Sequence, residues 1–207
     1  MREVRLIRLG TTHHEVVDEQ MRELQQQRID DEIPDTLILV EHPEVVTIGP
    51  KARNDGIEPP PDYPSRAVDR GGGLTWHGPG QLVIYPVFKW DLEGEVNTKA
   101  IIHALEGWVI ESFAALGIES ARDARMMGVW VDGHKVCSIG ISLLRWVSRH
   151  GLSINYDTPR GRVERLQGCG LDAGMTSSLA ALGYSISRER LEESLLNSNS
   201  LLNLHFH

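Results

Sequence analysis

Cysteine is almost missing from this chain, which has two, Cys137 and Cys169, among 207 residues. So few thiols argue against a disulfide framework, and each is judged alone. Long apolar runs are missing too: none approaches the ~20 residues of a membrane-spanning helix. The opening Met1-Arg-Glu-Val-Arg-Leu-Ile-Arg-Leu9 alternates charge with apolar residues and lacks the apolar core of a secretion signal. It reads as a first strand of a cytoplasmic protein with no membrane partner. A basic surface is also lacking, since the net charge is -8. That argues against a nucleic-acid partner and leaves small molecules or proteins. There is no P-loop.

What is present suits a single domain over residues 1–207. Residues 12–28 place Val16, Val17, Met21 and Leu24 on one side of an amphipathic helix. Short strands are expected at 36–40 and 45–48, followed by a proline-stiffened loop over 51–64. Residues 98–116 space Ile101, Leu105, Trp108, Val109 and Phe113 at helical intervals, and Gly117 is a natural stop. Strands at 128–131 and 135–141 flank Asp132-Gly133, a favoured hairpin turn, and another strand runs over 150–155. Pro159 is expected to start a short helix, and Ser187 to cap a final one. This order predicts an α+β fold, with largely antiparallel sheets flanked by helices.

The most informative stretch is Arg70-Gly-Gly-Gly-Leu-Thr-Trp-His-Gly-Pro-Gly-Gln-Leu-Val-Ile-Tyr-Pro86. Gly71, Gly72 and Gly73 carry no side chains, so the backbone there can come close to a ligand. Strands at 74–76 and 82–88 bracket the loop, and the strand that follows excludes a dinucleotide fingerprint, which needs a helix. A hairpin accounts for Gly78-Pro79-Gly80 but less well for Arg70, Thr75 and His77.

The two cysteines sit in different settings. Cys137, between Val136 and Ser138 in an apolar strand, reads as a small core residue. Cys169 is flanked by Gly168 and Gly170 in a loop, where a substrate can approach a thiol and backbone N–H groups can hold an oxyanion. A nucleophilic thiol, with an ordinary pKa near 8.5, needs a neighbouring cation or base at neutral pH. His77, His150 and Lys135 are the candidates, and Lys135 is the only lysine after Lys99.

Three segments together resemble the lipoyl(octanoyl) transferase family, within the broader biotin/lipoate protein ligase fold. They are residues 70–85, then Gly128-Val-Trp-Val-Asp-Gly-His-Lys-Val-Cys-Ser-Ile-Gly140, then His150-Gly-Leu-Ser-Ile-Asn155 with Cys169-Gly170. The resemblance covers roughly residues 37–179. It implies transfer of an octanoyl group from acyl carrier protein to a lysine of lipoyl domains, those of 2-oxoacid dehydrogenases and the glycine cleavage H protein. Cys169 would carry the acyl group and Lys135 would be its base. Arg70, Gly71, Gly72, Gly73, Leu74, Thr75, Trp76 and His77, with Ser138, Ile139, Gly140, Gly151, Leu152 and Ser153, would surround the acyl chain and the reacting carbonyl. Gly168 stands where the family usually has Pro, and Trp76 where Tyr is common.

The chemistry suits these residues. Donor and acyl-Cys are both thioesters, so the first step is nearly isoenergetic and needs no cofactor, ATP or metal. Attack by an amine then gives an amide, which is downhill, and the two steps predict ping-pong kinetics. Lys135 can accept a proton only as a neutral amine, which burial beside Val136 and Ile139 favours. Burying about seven carbons at about 0.8 kcal/mol each contributes roughly 5 kcal/mol. Arg145, Arg149, Arg160, Arg162 and Arg165 form a candidate basic face for acidic protein substrates. The alternative is an ATP-dependent lipoate or biotin protein ligase on the same fold, which would not need Cys169.

Overall fold

The computed structural model describes residues 2–92, 94–166, 174–198, 200 and 202–207. The first half of the chain runs β1 (Arg2–Thr11), α1 (His14–Ile29), β2 (Asp35–Glu41), β3 (Val45–Ile48), α2 (Pro50–Asn54), β4 (Ser65–Ala67), β5 (Leu74–His77) and β6 (Gln81–Val87). The second half runs α3 (Thr98–Ala115), β7 (Ala121–Asp123), β8 (Met126–Val131), β9 (His134–Leu144), β10 (Val147–Asn155), α4 (Arg188–Asn197) and β11 (Leu204–Phe206). Eight strands form one sheet in the order β11-β1-β2-β6-β10-β9-β8-β7, and β4-β3-β5 form a second, smaller one. The parallel pairs are β1 with β2, β1 with β11 and β3 with β4. The others are antiparallel, as expected of this α+β chain.

Period-2 alternation explains how the large sheet divides its residues. On β6, Leu82 and Ile84 join the main core with Phe88, while Val83, Tyr85 and Val87 face the other way. On β2, Leu37 and Leu39 separate from Ile38 and Val40 in the same manner. The main core is closed by α3, whose Ile101, Leu105, Trp108, Val109 and Phe113 are buried, and by Leu191 and Leu195 of α4. Asn97 caps α3 by accepting from the Lys99 N–H at 2.9 Å, and Ser187 caps α4 by accepting from the Arg190 N–H.

The opposite face of the sheet is covered by α1 through Val17, Met21 and Leu24. Val16, expected on that stripe, points outward and is 54% exposed. The cause is geometric: residues 17, 21 and 24 stack along one face, and Val16 lies about 100° around from Val17. The helix expected at Pro159 is absent. Turns occupy that stretch, with the Glu164 carboxylate accepting from the Gly161 N–H at 2.8 Å and Gly161 at φ +80°. The short elements α2, β4, β7 and β11 carry too little periodicity to read from sequence.

A candidate acyl-transfer site

A cavity of about 420 Å³ opens on the face of the sheet that α1 covers, just beyond that helix's first residue, His14. Its base is a trough along β9 and β10, where Ser138 pairs with Ser153, Ile139 with Leu152 and Gly140 with Gly151. Its cover is the loop Arg70–Gly73 with Leu74, Thr75 and His77 of β5. The backbone approach explains one glycine: a Cβ on Gly140 would lie 2.8 Å from the Gly71 carbonyl oxygen. The Gly71 N–H in turn donates to the Ile141 carbonyl at 3.0 Å, so the loop is sewn to β9.

Arg70 is buried, and its guanidinium holds the cover in shape. It donates to the Thr47 carbonyl at 2.9 Å, the Thr47 hydroxyl at 2.8 Å and the carbonyls of Gly73 and Gly71 at 3.0 Å. Trp76 lies off the cavity. Alternation on β5 sends its ring into a separate apolar cluster with Val46 and Tyr63, where the indole N–H donates to Glu44 at 2.8 Å. All the other expected acyl-surrounding residues line the cavity.

Lys135 reaches the same cavity from the start of β9 and is only 7% exposed. Its backbone N–H donates to the Met175 carbonyl at 2.8 Å, and its carbonyl accepts from the Ser177 N–H at 3.0 Å, so residues 175–177 run alongside it. Gly128 makes room for the lysine: it sits at φ +129°, and a Cβ there would lie 2.7 Å from the Lys135 Cε and 2.2 Å from the Cys137 carbonyl oxygen. Cys137 is fully buried, and burial pushes its thiol up to about 12, so it is a core residue. Cys169, Gly168 and Gly170 lie outside the described residues.

The cavity also meets a group of imidazoles: His77 and His150, which the sequence offered as candidate bases, and His14, which it did not single out. His14, His77, His150 and Tyr85 line it, with His42 behind them. The His14 ring stacks on His77 at 6.1 Å and on His150 at 6.3 Å between centroids. Desolvation lowers His77 well below its ordinary value, and neighbouring His42 and His14 add to this. His14 is lowered to about 3 and His42 to about 4, with burial as the main cause of each. These three rings are therefore neutral at pH 7.

Their partners fix the tautomers. The Thr12 carbonyl only accepts, so the His42 Nδ1–H donates to it at 2.6 Å and Nε2 accepts from the Tyr85 hydroxyl at 2.9 Å. Gln81 donates from its amide nitrogen to Trp76 and Asn155, leaving its oxygen to accept from the His77 Nδ1–H at 2.7 Å. His150 bonds the Asp69 carboxylate at 2.8 Å, and Arg149 pairs with the same group. Those two partners hold Asp69 well below the usual carboxylate range, the His150 hydrogen bond being the larger cause. His14 Nδ1 is buried and has no hydrogen-bond partner among the described residues.

The five arginines proposed as a basic face do not act together. Arg149 is buried, Arg162 pairs with Glu44 at 2.5 Å and Asp62 at 3.4 Å, and Arg165 also pairs with Asp62. Arg145 and Arg160 are exposed and make no ion pair among the described residues. The structure therefore corrects the expected patch: ion pairs with the acidic residues around them use up much of its charge.

Residues 19–199 match the family described as the lipoyl protein ligase A/B catalytic domain. The chain belongs to this family. The lipoyl protein ligase A/B domain here is 34% identical over 202 residues to an octanoyltransferase of Syntrophobacter fumaroxidans, covering 94% of this chain and 88% of that protein. It is 37% identical over 208 residues to an octanoyltransferase of Chloroflexus aggregans, covering 96% and 94%. Among solved structures, its fold is similar to a lipoate-protein ligase A bound with ATP, with a TM-score of 0.73 and 14% identity over 99% of this chain and 87% of that one. It is similar also to a bi-partite lipoate protein ligase from Thermoplasma acidophilum, with a TM-score of 0.72 and 15% identity over 100% and 86%. These two likenesses establish the biotin/lipoate ligase-like fold of the domain. Among the described residues no helix is long and apolar enough to cross a membrane.

Proposed function

We propose that this acyltransferase moves an octanoyl group from acyl carrier protein to a lysine of lipoyl domains, through a thioester on Cys169 with Lys135 as base. One observation carries the reading: a nearly buried lysine lines a cavity of about 420 Å³, and residues 175–177, close after Cys169 in the sequence, run alongside it. The octanoyltransferase relatives, which align over almost the whole chain, supply the acyl group.

In the first half-reaction neutral Lys135 takes the thiol proton. The thiolate attacks the thioester carbonyl, and the carrier's thiol leaves with that proton. In the second, the neutral amine of the incoming lysine attacks the thioester carbonyl, the carbon–sulfur bond breaks as the amide forms, and Lys135 takes the proton the amine loses and returns it to the Cys169 sulfur. Desolvation disfavours an ammonium over an amine, which is why a base of this type belongs in a buried site.

Intact-protein mass spectrometry after mixing with octanoyl-acyl carrier protein, without ATP, tests the proposal. Wild type should gain one hydroxylamine-labile octanoyl adduct, Cys169→Ala none, and Lys135→Met should keep its melting temperature but acylate at least 100-fold more slowly. Octanoylation of a lipoyl domain only with ATP and free octanoate, and undiminished in Cys169→Ala, would instead establish the ligase reaction.

A further inference from the structure

The cavity is lined by Lys135 and also by the imidazoles of His14, His77 and His150. Lys135 folds back along β9, because its Cε lies 2.7 Å from the Cβ position of Gly128, which itself lies 2.2 Å from the Cys137 carbonyl oxygen. The reacting end of the cavity is thus near the Cys137 row of the sheet. The far end is at the His150–Ile141 pair, four residues along the same strand. At about 3.3 Å per residue this is roughly 13 Å, and one van der Waals contact of about 3.5 Å leaves about 10 Å of usable trough. Seven carbon–carbon bonds of about 1.5 Å in a zigzag span about 9 Å. An octanoyl chain would match that length, with its terminal methyl at the rings.

We propose that His14 is the specificity-determining residue that sets the upper acyl length, its ring closing the trough at the end away from Lys135. The ring is 4% exposed, lines the cavity and lies near-parallel to the rings of His77 and His150, with centroids 6.1 and 6.3 Å away. It differs from its neighbours in one respect that matters. Tyr85, His77 and His150 are each tied to a partner by hydrogen bonds that position other parts of the fold, whereas His14 Nδ1 bonds nothing among the described residues. Removing the ring therefore lengthens the trough without breaking those bonds. This inference rests on the acyl-transfer reading, and it adds the limit on the chain.

Two measurements on the full chain separate the two ideas: dissociation constants for saturated fatty acids of six to fourteen carbons, and kcat/KM for the matching acyl carrier proteins. In His14→Ala, space for about two more methylenes should raise the ten-carbon to eight-carbon ratio roughly tenfold in both series. In His14→Trp the larger ring should move the optimum down to six carbons. A misfolded variant would not shift the optimum in opposite directions. Unchanged length profiles in both variants, with wild type transferring octanoyl normally, would overturn the role of His14 and leave the transfer reading standing. Shifted binding profiles without any transfer from carrier protein would support the wall and overturn the transfer reading.

Discussion

At the scale of single residues, the site contrasts two ways of burying a polar group. Arg70 and His77 are satisfied on several sides, while His42 and Tyr85 depend on one another. Because the Thr12 carbonyl fixes the His42 tautomer, Nε2 has a lone pair facing the Tyr85 hydroxyl and needs that hydrogen. Tyr85→Phe removes the donor and keeps the ring, so its cost is that of a buried unsatisfied acceptor, about 1–3 kcal/mol. Urea denaturation should show a lower midpoint with an unchanged slope. A midpoint equal to wild type would mean that another donor, such as water, reaches His42. Burial pushes the Tyr85 hydroxyl above its ordinary range, so it remains a donor throughout the working pH range.

At the scale of elements, the positions that build the site are close approaches between backbones. Gly128 begins the buried part of β8, with its N–H donating to Glu106 of α3 at 2.9 Å. Gly128→Ala should lose about 1–3 kcal/mol from the strained φ alone, and its Cβ would also push against the Lys135 side chain. Gly133, at φ +77° in the β8–β9 turn with open space around it, separates the two effects. Gly133→Ala should lose comparable stability but keep transfer activity, whereas Gly128→Ala should transfer at least tenfold more slowly. Equal activities would remove Gly128 from the positioning of Lys135.

Much of this was legible in the sequence. The long helix with its Gly117 stop, the Asp132-Gly133 hairpin and the glycine loop announce themselves through local chemistry. Lys135 and the β9–β10 trough residues were legible through the motif they share with the family. The side to which Trp76 points depends on the register of β5. The partners of Arg162 and the meeting of His14, His42, His77 and His150 depend on residues brought together from α1, β5, β10 and the loop after β2. No window of sequence contains that convergence, and Cys169 lies outside the described residues.

At the scale of the whole molecule, burying several imidazoles in one place makes stability depend on pH with a definite sign. In the unfolded chain each titrates near 6.5. In the folded protein His14 titrates near 3, His42 near 4 and His77 well below 6.5, all chiefly through desolvation. Between about pH 6.5 and pH 4 the unfolded state therefore holds more protons than the folded one, and stability falls as pH falls through that window. Above pH 6.5 these groups contribute no slope. Each ring adds up to about 1.4 kcal/mol per pH unit, so three together rival a typical total stability within a few units. The lowered carboxylates Asp69 and Glu44 act in the same sense but at lower pH, as they approach their own protonation. Urea midpoints measured from pH 8 to pH 4.5 should be level down to about pH 6.5 and then drop steeply. In His14→Gln, which removes one titrating ring, the drop should be shallower by about one proton. If wild type and His14→Gln followed the same curve, His14 would be taking its proton in the folded state as readily as in the unfolded one, and its lowered titration would have to be abandoned.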